Sequence, residues 1–189
     1  MLIWRNHRPG LGASVVPKFV FLTATLASMA CEPNNQGYAP TQPINYSHAV
    51  HAGALKIDCQ YCHFSAQRGR YAGIPPAQIC MNCHKQVKTN HPEVQKVAQA
   101  IAQEKPIEWV RVHALPDYVY FNHAPHVLAG LACQQCHGPI EEMGRVEQMA
   151  PLTMGWCLDC HRTGGKPGSP GEDALRVDSH LTDCTVCHH

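Results

Sequence analysis

Residues 46–63 read YSHAVHAGALKIDCQYCH, and residues 121–137 read FNHAPHVLAGLACQQCH. Each stretch opens on two histidines three residues apart, crosses a short apolar run and ends on Cys-x-x-Cys-His. His48 and His51 recur as His123 and His126 at an offset of 75, and Cys59/Cys62/His63 recurs as Cys133/Cys136/His137 at 74. A second motif follows in each half, Cys80/Cys83/His84 and Cys157/Cys160/His161, at an offset of 77. A fixed period with small slippage marks a duplicated unit. A fifth copy, Cys184/Cys187/His188, is appended to the second half.

The chain of 189 residues holds 11 cysteines and 14 histidines, but only 7% aromatic residues. A conventional core of large side chains is therefore thin, and something else fills the interior. Apart from Cys31, every cysteine falls into one of the five motifs, so no cysteine remains for a disulfide framework. Arg5, Arg8 and Lys18 precede the first acidic residue, leaving 12 basic against 14 acidic groups from Glu32 onward, a net of −2. That balance disfavours a nucleic-acid partner, which needs a basic face.

In Cys-x-x-Cys-His, two thiols add across the vinyl groups of a haem, and the next residue is thereby placed to bind the iron. Seventeen residues separate the first two cysteine pairs, which falls in the zinc-ribbon window, yet zinc requires no histidine after every second cysteine and all five pairs have one. The reading is five covalently bound haems c, with His63, His84, His137, His161 and His188 as proximal iron ligands. Arg68, Arg70, Arg111, Arg145 and Arg162 are candidates to pair with haem propionates.

A low-spin electron-transfer haem needs a second axial ligand. His48/His51 and His123/His126 come first, because residues three apart on a helical turn leave one side at different heights and can reach two different haems. His113 is the fifth choice. His91 reads instead as a helix-opening residue and His180 and His189 as exposed, while Met143, Met149 and Met154 are candidates to replace one histidine.

These residues carry a resemblance. YSHAVHAGALKIDCQYCH resembles the cytochrome c3/c7 family, in which a His-x-x-His pair precedes the first attachment site and supplies distal ligands to two haems. IDCQYCH, AGIPPAQICMNCHK, PIEWVRVHALPDYVYFNHAPH, CQQCHG and PLTMGWCLDCHR are similar, in that order, to one member group: the pentahaem subunits of alternative complex III, a bacterial quinol-oxidising membrane complex. The resemblance covers residues 43–162 closely and the fifth motif more loosely, and residues 163–183 depart in length and content. It implies distal ligands at His48, His51, His113, His123 and His126. It also implies iron–sulfur and quinol-binding membrane subunits as partners, and a monohaem cytochrome or terminal oxidase as acceptor.

The expected fold is a multihaem cytochrome c, c3/c7-like: a mostly irregular chain with short α-helices around five haems, preceded by an N-terminal hydrophobic helix. Residues 1–31 read as a membrane anchor or a lipoprotein signal ending at Cys31, with the uncleaved anchor favoured. Both place the rest on the periplasmic face of the inner membrane. Residues 32–43 read as a linker, and residues 44–189 as the haem domain, in repeats of about 44–105 and 106–189. Within it, Val94, Val97, Ala98 and Ile101 mark an amphipathic helix, Trp109–His113 and Tyr118–Phe121 are short strand signals, residues 163–171 a loop, and residues 172–178 a helical turn or two.

The expected function is electron relay as a non-catalytic subunit of a quinol-oxidising complex. The alternatives are a free-standing periplasmic shuttle, a membrane donor to a reductase, or a catalytic multihaem reductase. The last wants a haem lacking a distal ligand, often with lysine replacing a motif histidine, and no motif here has lysine. Intact mass of the purified protein is expected to show the chain plus five haems; a mass without them would favour the zinc reading.

Overall fold

The computed structural model describes residues 34–164 and 179–188. The expected anchor or signal, most of the loop after Thr163, the turn at residues 172–178 and His189 lie outside the described residues. Among those described, no helix is long and apolar enough to cross a membrane.

The elements are short and helical. A six-residue π-helix, Ala49–Ala54, is followed by α1 (Cys59–Cys62), α2 (Ala77–His84), α3 (Pro92–Ala102), α4 (His123–Leu128) and α5 (Gln134–His137). A 3₁₀ turn at Ile140–Glu142, α6 (Met154–Arg162), a 3₁₀ turn at Ser179–Thr182 and α7 (Cys184–Cys187) complete the series. Local chemistry starts them: the Asp58 carboxylate accepts from Gln60 N–H at 2.7 Å, Asn122 Oδ1 from Ala124 N–H at 3.1 Å, and Thr153 Oγ1 from Trp156 N–H at 3.4 Å. His91 caps α3, its Nδ1 accepting from Glu93 N–H with Pro92 in the first turn. Val94 and Val97 of the expected amphipathic face are buried.

The order of elements is the same around the motifs of each half. In each half the His-x-x-His segment comes first, then an attachment motif on an isolated turn (α1, α5), then a second motif at the end of a longer helix (α2, α6). One turn of helix sets the two cysteines on one side, three residues apart, with the histidine at its C-terminal end.

No strand occurs among the described residues, which corrects the strand signals at Trp109–His113 and Tyr118–Phe121. Side-chain amides and distant carbonyls take the place of a partner strand. Gln42 Nε2 donates to Val110 O at 2.8 Å while its Oε1 accepts from Val110 N–H at 2.9 Å; Asn35 Nδ2 donates to Val112 O, and Tyr120 N–H to Cys187 O. The β-branched and aromatic residues in these runs thus have extended backbone with no ladder.

Residues 34–43 pack onto the body around Gln148, which is fully buried. Its Nε2 donates to Asn34 O at 2.6 Å and Ala150 O at 3.1 Å, and its Oε1 accepts from Ala114 N–H at 3.0 Å. Its backbone pairs with Gly37 and Tyr38. One glutamine thereby ties the segment before the first repeat to the extended run between the repeats. Close backbone approach adds a second tie: Ala49 N–H donates to Met143 O at 2.9 Å, and a Cβ on Gly53 would collide with the Glu141 carbonyl.

Few apolar side chains are buried among the described residues: Ile44, Ala66, Val94, Val97 and Met143. Most other apolar groups face one connected cavity of about 3270 Å³ running through the body. A single small-molecule pocket is roughly 300–1,000 Å³, so this space fits several large ligands. Replacing Gln148 by leucine is expected to orphan Ala114 N–H and Asn34 O and cost roughly 2–4 kcal/mol. Thermal unfolding of the holoprotein should show this as a lowered Tm; an unchanged Tm would remove Gln148 from its place as the tie.

Candidate haem sites

The five motifs are numbered in chain order as sites 1 to 5, from Cys59/Cys62/His63 to Cys184/Cys187/His188. Their thiols lie in a row. Cys59 hydrogen-bonds Cys133, Cys62 lies by Cys80 and Cys83, Cys136 by Cys157 and Cys160, and Cys157 by Cys187. The spatial order is therefore 2–1–3–4–5, with the first sites of the two halves in contact at the centre. Burial pushes the Cys59, Cys62, Cys136 and Cys157 thiols up, Cys136 to about 11, with neighbouring cysteines adding to the effect.

The histidines face one another in pairs across gaps. Ring centroids are 6.4 Å apart for His48–His63, 6.1 Å for His51–His84, 6.3 Å for His123–His137 and 6.0 Å for His126–His161. The first and third pairs are within 6° of parallel. A metal–imidazole bond is about 2 Å, so two such bonds plus the ring radii require roughly 6 Å between centroids. Each pair leaves room for one metal ion. The two histidines of a His-x-x-His segment serve different sites: His48 faces site 1 and His51 site 2, while His123 faces site 3 and His126 site 4.

At His48, His137, His126 and His113 burial favours the neutral ring, the form that ligates. Burial lowers His48 to about 4, helped by His63 and His51, and lowers His137 to about 3, helped by His113, His123, His63 and His48. His126 and His113 are also lowered, burial again being the main cause.

Most ring orientations are locked from behind. Nδ1 of His63 lies 2.6 Å from Gly73 O, His84 2.9 Å from Val87 O, His161 2.7 Å from Leu181 O and His188 3.2 Å from Tyr118 O. Nδ1 of His51, His123 and His126 bonds Ser47 O, Arg70 O and Asn122 O. A carbonyl behind Nδ1 holds the proton there and leaves the Nε2 lone pair for a metal.

His113 stands elsewhere. It faces neither His188 nor any other motif histidine across a gap; its Nε2 is 3.1 Å from His137 Nδ1, with ring centroids 4.4 Å apart. His91 is a helix cap, as expected, and His180 is exposed beside Asp183. Met143 is buried and meets Gly138, whereas Met149 and Met154 are exposed.

Tyr46 and Phe121, also 75 residues apart, were not singled out by their sequence. Tyr46 stacks on His51 at 4.4 Å and meets His48 edge-on at 4.9 Å; Phe121 lies 4.6 Å from His126 and meets His123 edge-on at 4.8 Å. Each aromatic wedges both rings of the pair that follows it. Aromatic-x-His-x-x-His at the repeat offset was the available signal. Burial, with Cys62 and Cys80 nearby, raises the Tyr46 hydroxyl to about 12, so it stays neutral.

The donor set and the cavity fit haem. Arg70 supplies an independent sign: its Nε is buried without a partner, and its guanidinium lies over the Tyr120 ring at 4.2 Å. It lines the cavity and has no carboxylate partner among the described residues, as a residue awaiting a propionate would.

Comparison with known proteins agrees. The family model described as cytochrome c7 and related cytochrome c matches residues 119–189. The chain is 38% identical over 170 residues to the menaquinone reductase, multiheme cytochrome c subunit, of Nitratidesulfovibrio vulgaris strain Hildenborough, covering 78% of this chain and 76% of that one.

The chain belongs to the c7-like multihaem cytochromes c. The cytochrome therefore carries c-type haem and works in electron transport, and its paired histidines and apolar cavity make physical sense together.

Substitution of His51 by alanine is expected to leave one iron, that of site 2, high-spin while the others keep their wild-type spectra. Low-temperature EPR of the oxidised protein checks this. An unchanged low-spin spectrum would contradict the pairing with His84.

Proposed function

We propose that this cytochrome is the five-haem electron-relay subunit of a membrane-bound, quinone-linked respiratory complex, resembling alternative complex III and working on the periplasmic face, tethered by residues 1–31. The observation that carries the reading is the succession of attachment sites, in the order 2–1–3–4–5, four of which have two histidines facing across a gap of 6.0–6.4 Å between ring centroids. Bound haem supplies the one-electron chemistry, iron alternating between ferric and ferrous.

The chain's own residues do the rest. Motif cysteines would attach each haem, and His63, His84, His137, His161 and His188 would bind the irons. His48, His51, His123 and His126 would supply the second ligand to four of them. Aromatic wedges and carbonyls behind Nδ1 keep the rings from turning, which favours small reorganisation on electron transfer. Apolar side chains exclude water from the interior.

With two ligands on each of four irons, those sites suit relay rather than substrate binding, which disfavours the catalytic reductase. Partners on this reading are iron–sulfur and quinol-binding membrane subunits, with a monohaem cytochrome or terminal oxidase as acceptor. The relative's name supports a quinone-linked role and raises the opposite direction, menaquinone reduction.

Purification from native membranes in mild detergent tests the proposal. The cytochrome is expected to co-purify with a quinone-binding integral membrane subunit, and menaquinol is expected to reduce its haems. Recovery of the cytochrome alone, with haems that menaquinol leaves oxidised, would overturn the proposal in favour of a free-standing shuttle. Haems that menaquinol leaves oxidised but which, when reduced, pass electrons to menaquinone would reverse the direction.

A further inference from the structure

Nine histidines surround the five sites, and seven of them place a backbone carbonyl behind Nδ1. His48 Nδ1 is buried with no partner, and His137 alone meets another imidazole, His113 Nε2 at 3.1 Å. His137 lies at the centre of the row, with its own facing ring His123 on the other side at 6.3 Å.

Proton counting settles what His113 can do there. A neutral imidazole carries one N–H. If Nε2 of His137 gives its lone pair to iron, the proton sits on Nδ1 and must be donated to His113 Nε2. His113 then carries its own proton on Nδ1. Neither nitrogen of His113 has a lone pair left for a metal.

We propose that His113 is not an iron ligand but the positioning residue of site 3, accepting the His137 Nδ1 proton and strengthening His137 as a donor. An imidazole nitrogen is a far more basic acceptor than a peptide carbonyl, so His137 gains more electron density than the carbonyl-backed ligands. A stronger axial donor favours ferric iron, which lowers that site's potential relative to a carbonyl-backed equivalent.

The position of His113 is itself built. Arg111 Nε donates to His113 O at 2.9 Å, Asn35 fixes Val112, and Gln148 fixes Ala114. The residues on both sides of His113 are thus held by the segment that wraps Gln148.

The inference rests on the haem reading of site 3, and the test separates the two. Wild-type protein first gives the haem count and the set of redox transitions by spectroelectrochemistry; a missing haem there would fault the haem reading, not this one. His113→Phe is expected to keep every iron in its wild-type spin state while one redox transition moves upward. His113→Gln, whose amide oxygen can accept the proton, should bring that transition part of the way back. A new high-spin iron in either variant would show His113 to be a ligand and overturn the proposal. Unmoved potentials in His113→Phe would overturn it equally. If the Phe variant fails to mature, the Gln variant decides alone: wild-type spin states with one upward-shifted transition support the proposal, and a high-spin iron or an unmoved set rejects it.

Discussion

Two imidazoles can share one iron only if both are neutral, both aim Nε2 into the same gap, and the gap is the width of two coordinate bonds. The rest of this structure serves that condition. Burial favours the neutral ring at His48, His126 and His137. Carbonyls behind Nδ1 aim them, and Tyr46 and Phe121 prevent rotation. The four gaps of 6.0–6.4 Å then recur although the helices carrying the rings differ in length and type.

Because each His-x-x-His segment reaches two sites, it links them mechanically. The π-helical turn at Ala49–Ala54 joins sites 1 and 2, and α4 joins sites 3 and 4. Contact between Cys59 and Cys133 then joins the halves. The described residues bury few apolar side chains, so bound haems would complete the core, and loading and folding would be coupled in the same sense as for metal-dependent domains.

The sequence shows some of this directly. Five Cys-x-x-Cys-His motifs are legible because thioether attachment fixes both the cysteine spacing and the next residue. The His pairs are legible because their spacing is a helical one, and His91-Pro92 is a helix start in any context. Which ring faces which motif is not legible, since it depends on how distant segments meet. His113 shows the limit: family resemblance implies a distal ligand there, and the contacts that set it behind His137 come from Asn35 and Gln148, far away in sequence. The strand-like runs mislead for a related reason, because β-propensity reports a fit to a half-buried surface and cannot say whether a second strand is available.

The central claim is that four irons lie between four named ring pairs. Anomalous diffraction at the iron edge, on crystals of the holoprotein, reads it most directly. The account predicts iron peaks between His48 and His63, His51 and His84, His123 and His137, and His126 and His161, with Nε2 on both sides. An iron that has lost its facing histidine at any of the four, or two irons sharing one pair, would contradict it.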